Sequence, residues 1–233
     1  MEDENPCDNF FGKIKRIILE QDHIPMTVEG DVVDNYLVWE LCKQKSIQRK
    51  IIQKSPDKEK LRKEVEKVRK RYQEKEYSLE EKFDLVRDVC SNPDYRLKNF
   101  RNCSWRKETV KIGDLGTTIP RAGDLPPEVI TGSLPEVLDF VRGADPEKYQ
   151  SVKYITKLKE FPEVLEEFLP SVISPGNAVR KLHKMNREHG EKQWNIDETY
   201  GAIEDGNHRT IARILANNLE EIKCYIGHPK KNY

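Results

Sequence analysis

One stretch constrains the fold more than any other: Tyr200 to Ile226, which reads YGAIEDGNHRTIARILANNLEEIKCYI. Thr199 to Ile203 is a short apolar run with strand character, and Asp205-Gly206 after it is a dipeptide that marks a turn. Ile211, Ile214 and Leu215 then recur at helical spacing, so a helix with one buried face is predicted over Asn207 to Ala216. Glu221 to Ile226 supplies a second strand. A strand, a turn, a helix and a strand in such quick succession bury both kinds of apolar face only in a mixed α/β unit.

The turn also points to chemistry. Gly206 lets the backbone bend or approach a ligand closely, and the first amides of the following helix point outward with the positive end of its dipole behind them. The natural guest of such a turn is phosphate. Gly206, Asn207, His208, Arg209 and Thr210 are therefore the candidate phosphate-binding residues, with Arg209 able to add a two-pronged contact and His208 able to donate or to move a proton near neutral pH. Glu204 and Asp205 are placed to accept a proton from an attacking hydroxyl, and Asp205 to hold Mg²⁺, so Glu204, Asp205 and His208 form the candidate catalytic set. A plainer reading stands beside this one: Asn207 caps the helix, Asp205-Gly206 is an ordinary turn, and His208 and Arg209 lie on the surface.

The same residues resemble the signature region of the ParB/sulfiredoxin superfamily, in which a strand ends in a short polar motif, a helix follows and a last strand completes the unit. The D-G-x-H-R form, here Asp205 to Arg209, is most similar to the free serine kinase branch, which uses a nucleotide to phosphorylate the amino acid. The resemblance implies that Asp205, His208 and Arg209 bind phosphate or take part in its transfer, with ADP or ATP and Mg²⁺ as the reagents. Asn207 stands where sulfiredoxins carry their catalytic cysteine, which argues against a sulfinic acid reductase. Partition proteins carry G-E-R-R at this place, and Gly206-Asn207-His208-Arg209 matches that only in part. Val110 to Arg121 (VKIGDLGTTIPR) is the candidate for the first strand and proline-containing loop that such folds carry upstream.

The first hundred residues have a different texture. Apolar residues at helical spacing predict a helix through Phe10, Phe11, Ile14, Ile17 and Ile18, and a second that starts beyond Gly30 and buries Val33, Leu37, Val38 and Leu41, with Trp39 on its flank. Pro56 marks another helix start, and Leu61, Val65 and Val68 give that helix its stripe. Ser78-Leu79-Glu80-Glu81 is a capping box, the helix behind it buries Phe83, Val86 and Val89, and Asn92-Pro93 closes it. Near Trp105 the pattern changes to a short strand, Thr109 to Ile112, and a glycine- and proline-dense run up to Gly143. Helix returns from Pro146 to Leu169, interrupted at Pro162, and again from Asn177 to His189, while His228 to Lys231 reads as a frayed tail. These observations predict a helical, basic region over residues 1–105 and a ParB/sulfiredoxin-like α/β domain over residues 106–233, the first removable without loss of nucleotide binding by the second.

Lys plus Arg equals Asp plus Glu at 41 each, yet Lys43 to Glu76 holds 14 basic against 6 acidic residues, a local surplus of +8 offset by the rest of the chain. That segment is the candidate contact for a nucleic acid, although helices studded with Glu and Lys are commonly just solvated faces. With 35% charged residues the chain does not read as a membrane protein. The acidic start MEDENPCDNF has no apolar signal region, and Cys7, Cys42, Cys90, Cys103 and Cys224 have neither disulfide-framework nor zinc spacing, which together point to a reducing cytoplasm. No G-x-S-x-G or P-loop lysine motif occurs, so serine-hydrolase and P-loop NTPase chemistry are not expected. The expectation is a nucleotide-dependent phosphotransferase acting on a small hydroxyl compound, with a ParB-like DNA-binding or DNA-processing protein as the alternative.

Overall fold

The computed structural model of the chain describes residues 29–44, 57–90, 92–118, 131–173 and 200–230. The predicted helices through Phe10 and through Asn177, the Pro56 helix start, residues 45–56 of the basic segment and the Pro120-Arg121 loop lie outside these residues. Among the described residues the elements run α1 (Glu29–Gln44), α2 (Lys58–Gln73), α3 (Leu79–Val89), α4 (Pro93–Asn102), β1 (Cys103–Lys111), a 3-10 turn (Ile112–Asp114), β2 (Leu115–Thr118), β3 (Thr131–Ser133), α5 (Leu134–Gly143), α6 (Gln150–Leu158), α7 (Pro162–Glu166), β4 (Ser171–Ile173), β5 (Gly201–Asp205), α8 (Asn207–Asn217) and β6 (Glu221–Pro229). The protein is a mixed α/β fold. No helix among the described residues is long and apolar enough to cross a membrane.

Local chemistry explains most element boundaries. The Ser78 capping box is formed in full: the Glu81 amide donates to Ser78 Oγ at 3.3 Å and the Ser78 amide to Glu81 Oε2 at 2.8 Å. Asp57 caps α2 by accepting from the Lys60 amide at 2.8 Å, and Pro93 opens α4 at a position where a missing N–H costs nothing. Asn92-Pro93 thus begins a helix as well as ending one. Asn218 closes α8 in the left-handed conformation that asparagine tolerates.

The six strands form one sheet in the order β1-β6-β4-β5-β2-β3. β1 and β6 pair antiparallel over their whole length, from Cys103 opposite Pro229 to Lys111 opposite Glu221. β6 runs parallel to β4, β4 antiparallel to β5, and β5 parallel to β2, with Thr117 opposite Ile203. The parallel β2 and β5 consequently end at the same edge, and β5 passes straight into α8.

The texture change near residue 105 is the start of the sheet, and the core is not divided there. One buried apolar cluster runs from Val32, Leu37 and Trp39 on α1 through Leu61, Val86 and Phe100 to Ile203, Ile211 and Ile226. Tyr36 of α1 meets Phe100 of α4 edge-on at 5.5 Å, and Phe100 meets Trp105 of β1 at 6.1 Å. Trp105 lies over Gly227, where an added Cβ would come within 2.8 Å of the indole, so the absence of a side chain on β6 makes the ring's seat. Asn35 fastens α1 to the chain entering β4 with two bonds, Nδ2 donating to the Leu169 carbonyl (2.8 Å) and Oδ1 accepting from the Leu169 amide (3.1 Å). The end of β6 is not frayed: the Lys230 amide donates to the Asn102 carbonyl at 2.7 Å and its Nζ reaches Glu29 at 2.7 Å.

Candidate functional site

The Asp205-Gly206-Asn207 turn sits at the edge where β2 and β5 both end, the place where open α/β sheets bind ligands. Gly206 has φ +90°, a conformation that a side chain strains, and it precedes the first turn of α8. Thr210 closes that turn, its amide donating to the Gly206 carbonyl at 2.8 Å. Asn207 is not a cap. It is the first helical residue, its side chain is buried, and it bridges inward: Nδ2 donates to the Ile203 carbonyl at 3.3 Å and Oδ1 accepts from the Thr117 hydroxyl. That second bond ties the end of β2, and with it the candidate upstream strand, to the motif.

Arg209 has a structural occupation that its sequence context does not reveal. It is 4% exposed, its guanidinium lies 4.4 Å from the centre of the Trp39 ring and 6.0 Å from that of Phe168, and its Nη2 donates to Asp205 Oδ2 at 2.9 Å. Trp39 is therefore fully inside the protein, where it serves as the platform for this arginine, and not on the flank of α1. In this geometry the guanidinium turns back across the turn toward Asp205 instead of outward to a phosphate.

Asp205 is held by a second arginine from outside the motif. Arg96 of α4 places Nη2 3.7 Å from Asp205 Oδ1 and donates from Nη1 to the Glu204 carbonyl at 3.2 Å, while its own guanidinium stacks 5.1 Å from the Tyr36 ring. Burial works against the charge of Asp205, but Arg209 and then Arg96 outweigh it and hold the carboxyl at about 2. A carboxylate with that little basicity is a poor proton acceptor at neutral pH, and its oxygens already face two cations. Asp205 thus fits neither the base nor the Mg²⁺ ligand that the sequence suggests. Among the described residues no group of three or more His, Cys, Asp or Glu is arranged to hold a metal.

The remaining candidates differ in setting. Glu204 is half-buried and accepts a hydrogen bond from the Tyr95 hydroxyl of α4. His208 is half-buried on the first turn of α8, its ring 5.2 Å from Tyr154 of α6. Thr210 is 4% exposed, and its hydroxyl is among the buried side-chain polar atoms of the described residues with no hydrogen-bond partner, a condition that normally costs stability and calls for an explanation. Two thiols stand far from the thiolate range, burial pushing Cys103 up to about 11 and Cys224 up to about 12.

Sequence reasoning does not find Tyr95, Arg96 or Tyr36, and it leaves Trp39 on a helix flank without a role. Arg96 and Glu204 are 108 residues apart, and nothing in a helical stripe announces which distant carboxylate an arginine will meet.

No family model, no curated protein and no solved structure matches this chain. What its own residues define is a mixed α/β protein with a buried arginine–aspartate clamp beneath a glycine turn and helix N-terminus.

Proposed function

We propose that the protein is a nucleotide-dependent phosphotransferase acting on a small hydroxyl compound, similar to the free serine kinase branch of the ParB/sulfiredoxin superfamily. The observation that carries the reading is the combination at the start of α8: a left-handed Gly206, helix amides at the ends of two parallel strands, and a buried Thr210 hydroxyl without a partner. Backbone amides and a helix dipole suit a phosphate group, and the orphaned hydroxyl gains its missing partner when one is bound.

The nucleotide, ADP or ATP, arrives with its own Mg²⁺ on the phosphates, so the chain need not supply a full metal shell. The α8 amides and His208 hold the transferring phosphate. Glu204, fixed by Tyr95, accepts the proton of the substrate hydroxyl as its oxygen bonds to phosphorus and the bond to the leaving nucleotide breaks. Asp205, Arg209 and Arg96 shape the turn and do not touch the substrate. The test is incubation of the protein with ADP or ATP, Mg²⁺ and a panel of serine-like hydroxyl compounds, following phosphate transfer by NMR. Turnover is expected to vanish in Glu204→Gln. No transfer by the native protein to any acceptor, or undiminished transfer by the variant, refutes the reading.

A second reading, contact with nucleic acid through residues 43–76, is favoured by the outward face of α2. There Lys58, Lys60, Lys67, Lys70 and Arg71 are exposed, while the ion pairs Arg62–Glu66 and Lys63–Glu59 neutralise part of the surface. Binding of a labelled oligonucleotide that weakens steeply with salt is its signature, because each phosphate contact releases counterions.

A further inference from the structure

The phosphate turn contains a problem that its own residues do not solve. Gly206 permits the left-handed conformation but does not enforce it, since glycine populates many others at little cost. Arg209 grips Asp205 from inside the motif, which fixes one side of the turn. The other side is gripped from α4. Arg96 reaches two consecutive residues at once, the Glu204 carbonyl at 3.2 Å and Asp205 Oδ1 at 3.7 Å, so it restrains the backbone entering Gly206 as well as the side chain. Its stack on Tyr36, itself seated on Phe100, leaves the guanidinium little freedom to leave. Tyr95, the preceding residue, donates its hydroxyl hydrogen to the Glu204 side chain.

We infer that Arg96 is a positioning residue for the phosphate turn: it fixes the backbone that aims the first amides of α8, while its neighbour Tyr95 fixes the acceptor Glu204. The inference rests on the phosphate-binding reading of the turn and deepens it by giving α4, far outside the motif in sequence, a part in ligand affinity. A preorganised turn binds more tightly because less ordering remains to be done on binding. The planar fork of arginine can satisfy both acceptors together, whereas the point charge of lysine cannot span them. Arg96→Lys is then a variant that keeps the charge and the aliphatic stem and loses the double grip together with the planar stack on Tyr36.

The experiment is calorimetric titration of the full chain with inorganic pyrophosphate, alongside thermal unfolding without ligand. Arg96→Lys is expected to bind about tenfold more weakly, and Lys98→Gly, which loosens α4 at an exposed position, to lower the ligand-free midpoint and yet bind as the native protein does. Equal affinity in Arg96→Lys and the native protein overturns the inference while leaving the phosphate site standing. An equal loss in Lys98→Gly also overturns it, because the effect is then a general loosening of α4. Absence of pyrophosphate binding by the native protein removes the site itself, and the inference with it.

Discussion

Gly206→Ala perturbs the turn at its most constrained point. The backbone there has φ +90°, and an alanine held left-handed costs about 1–2 kcal/mol. A Cβ would also stand 2.9 Å from Arg209 Nη2 and 3.4 Å from the Pro170 Cα. A long side chain usually yields to such an intrusion, but this one is paired with Asp205 and packed against Trp39 and Phe168, so a shift disturbs those contacts. If Arg209 shifts and keeps its partner, the backbone term alone remains, and at about 2–4 °C per kcal/mol for a chain of this size the unfolding midpoint falls by about 2–8 °C. If the pair is lost, a buried charge is stranded and the penalty rises toward about 3–5 kcal/mol. The assay is thermal and urea unfolding followed by circular dichroism, with Gly113→Ala as control. Gly113 has no atom within 4 Å of a would-be Cβ, so that exchange is expected to be neutral or stabilising by about 0.4–1 kcal/mol. A loss in Gly206→Ala no greater than in the control would refute the reasoning.

Three further outcomes are expected. Asp205 has its carboxyl lowered from 3.8 to about 2, so its ion pairs contribute about 2 kcal/mol that is fully present above pH 4 and disappears as pH falls through about 2; the stability deficit of Asp205→Asn, read by urea titration, should narrow by that amount across this window. Thr210→Val removes a buried hydroxyl that has no partner, so the ligand-free protein should be as stable as native or better by up to about 1 kcal/mol while pyrophosphate binds more weakly; a large loss of stability would show that the hydroxyl is bonded in the free protein. Ser78→Ala should cost about 1 kcal/mol in chemical unfolding by opening the capping box, and should let the exposed Glu81 carboxyl, now lowered by its bonds from Ser78, return toward its ordinary range in an NMR titration.

The elements legible in the sequence were those specified within a few residues of themselves. The β5–turn–α8–β6 succession, the Ser78 capping box and the burial of Leu61, Val65 and Val68 follow from turn chemistry, capping geometry and helical period, each of which acts over four residues or fewer. The alternating run at Thr109 to Ile112 showed only the end of β1, because Cys103 to Arg106 owe their strand to pairing with Ile226 to Pro229 more than a hundred residues away. Period likewise placed Trp39 at the margin of a helix stripe, whereas the ring is buried between elements distant in sequence, against Arg209 of α8 and Phe168.

By itself, then, the sequence determined that this chain makes a mixed α/β unit with a glycine turn opening onto a helix N-terminus, since those are choices of local backbone. Only the tertiary structure decided how the polar residues of the motif divide their labour. Arg209 and Asp205 close on each other, Arg96 and Tyr95 come in from α4, and Thr210 is left without a partner. The physical reason is that a buried charge is settled by whichever opposite charge the packing brings within about 4 Å, and that encounter is fixed by the arrangement of whole helices on the sheet, not by spacing along the chain.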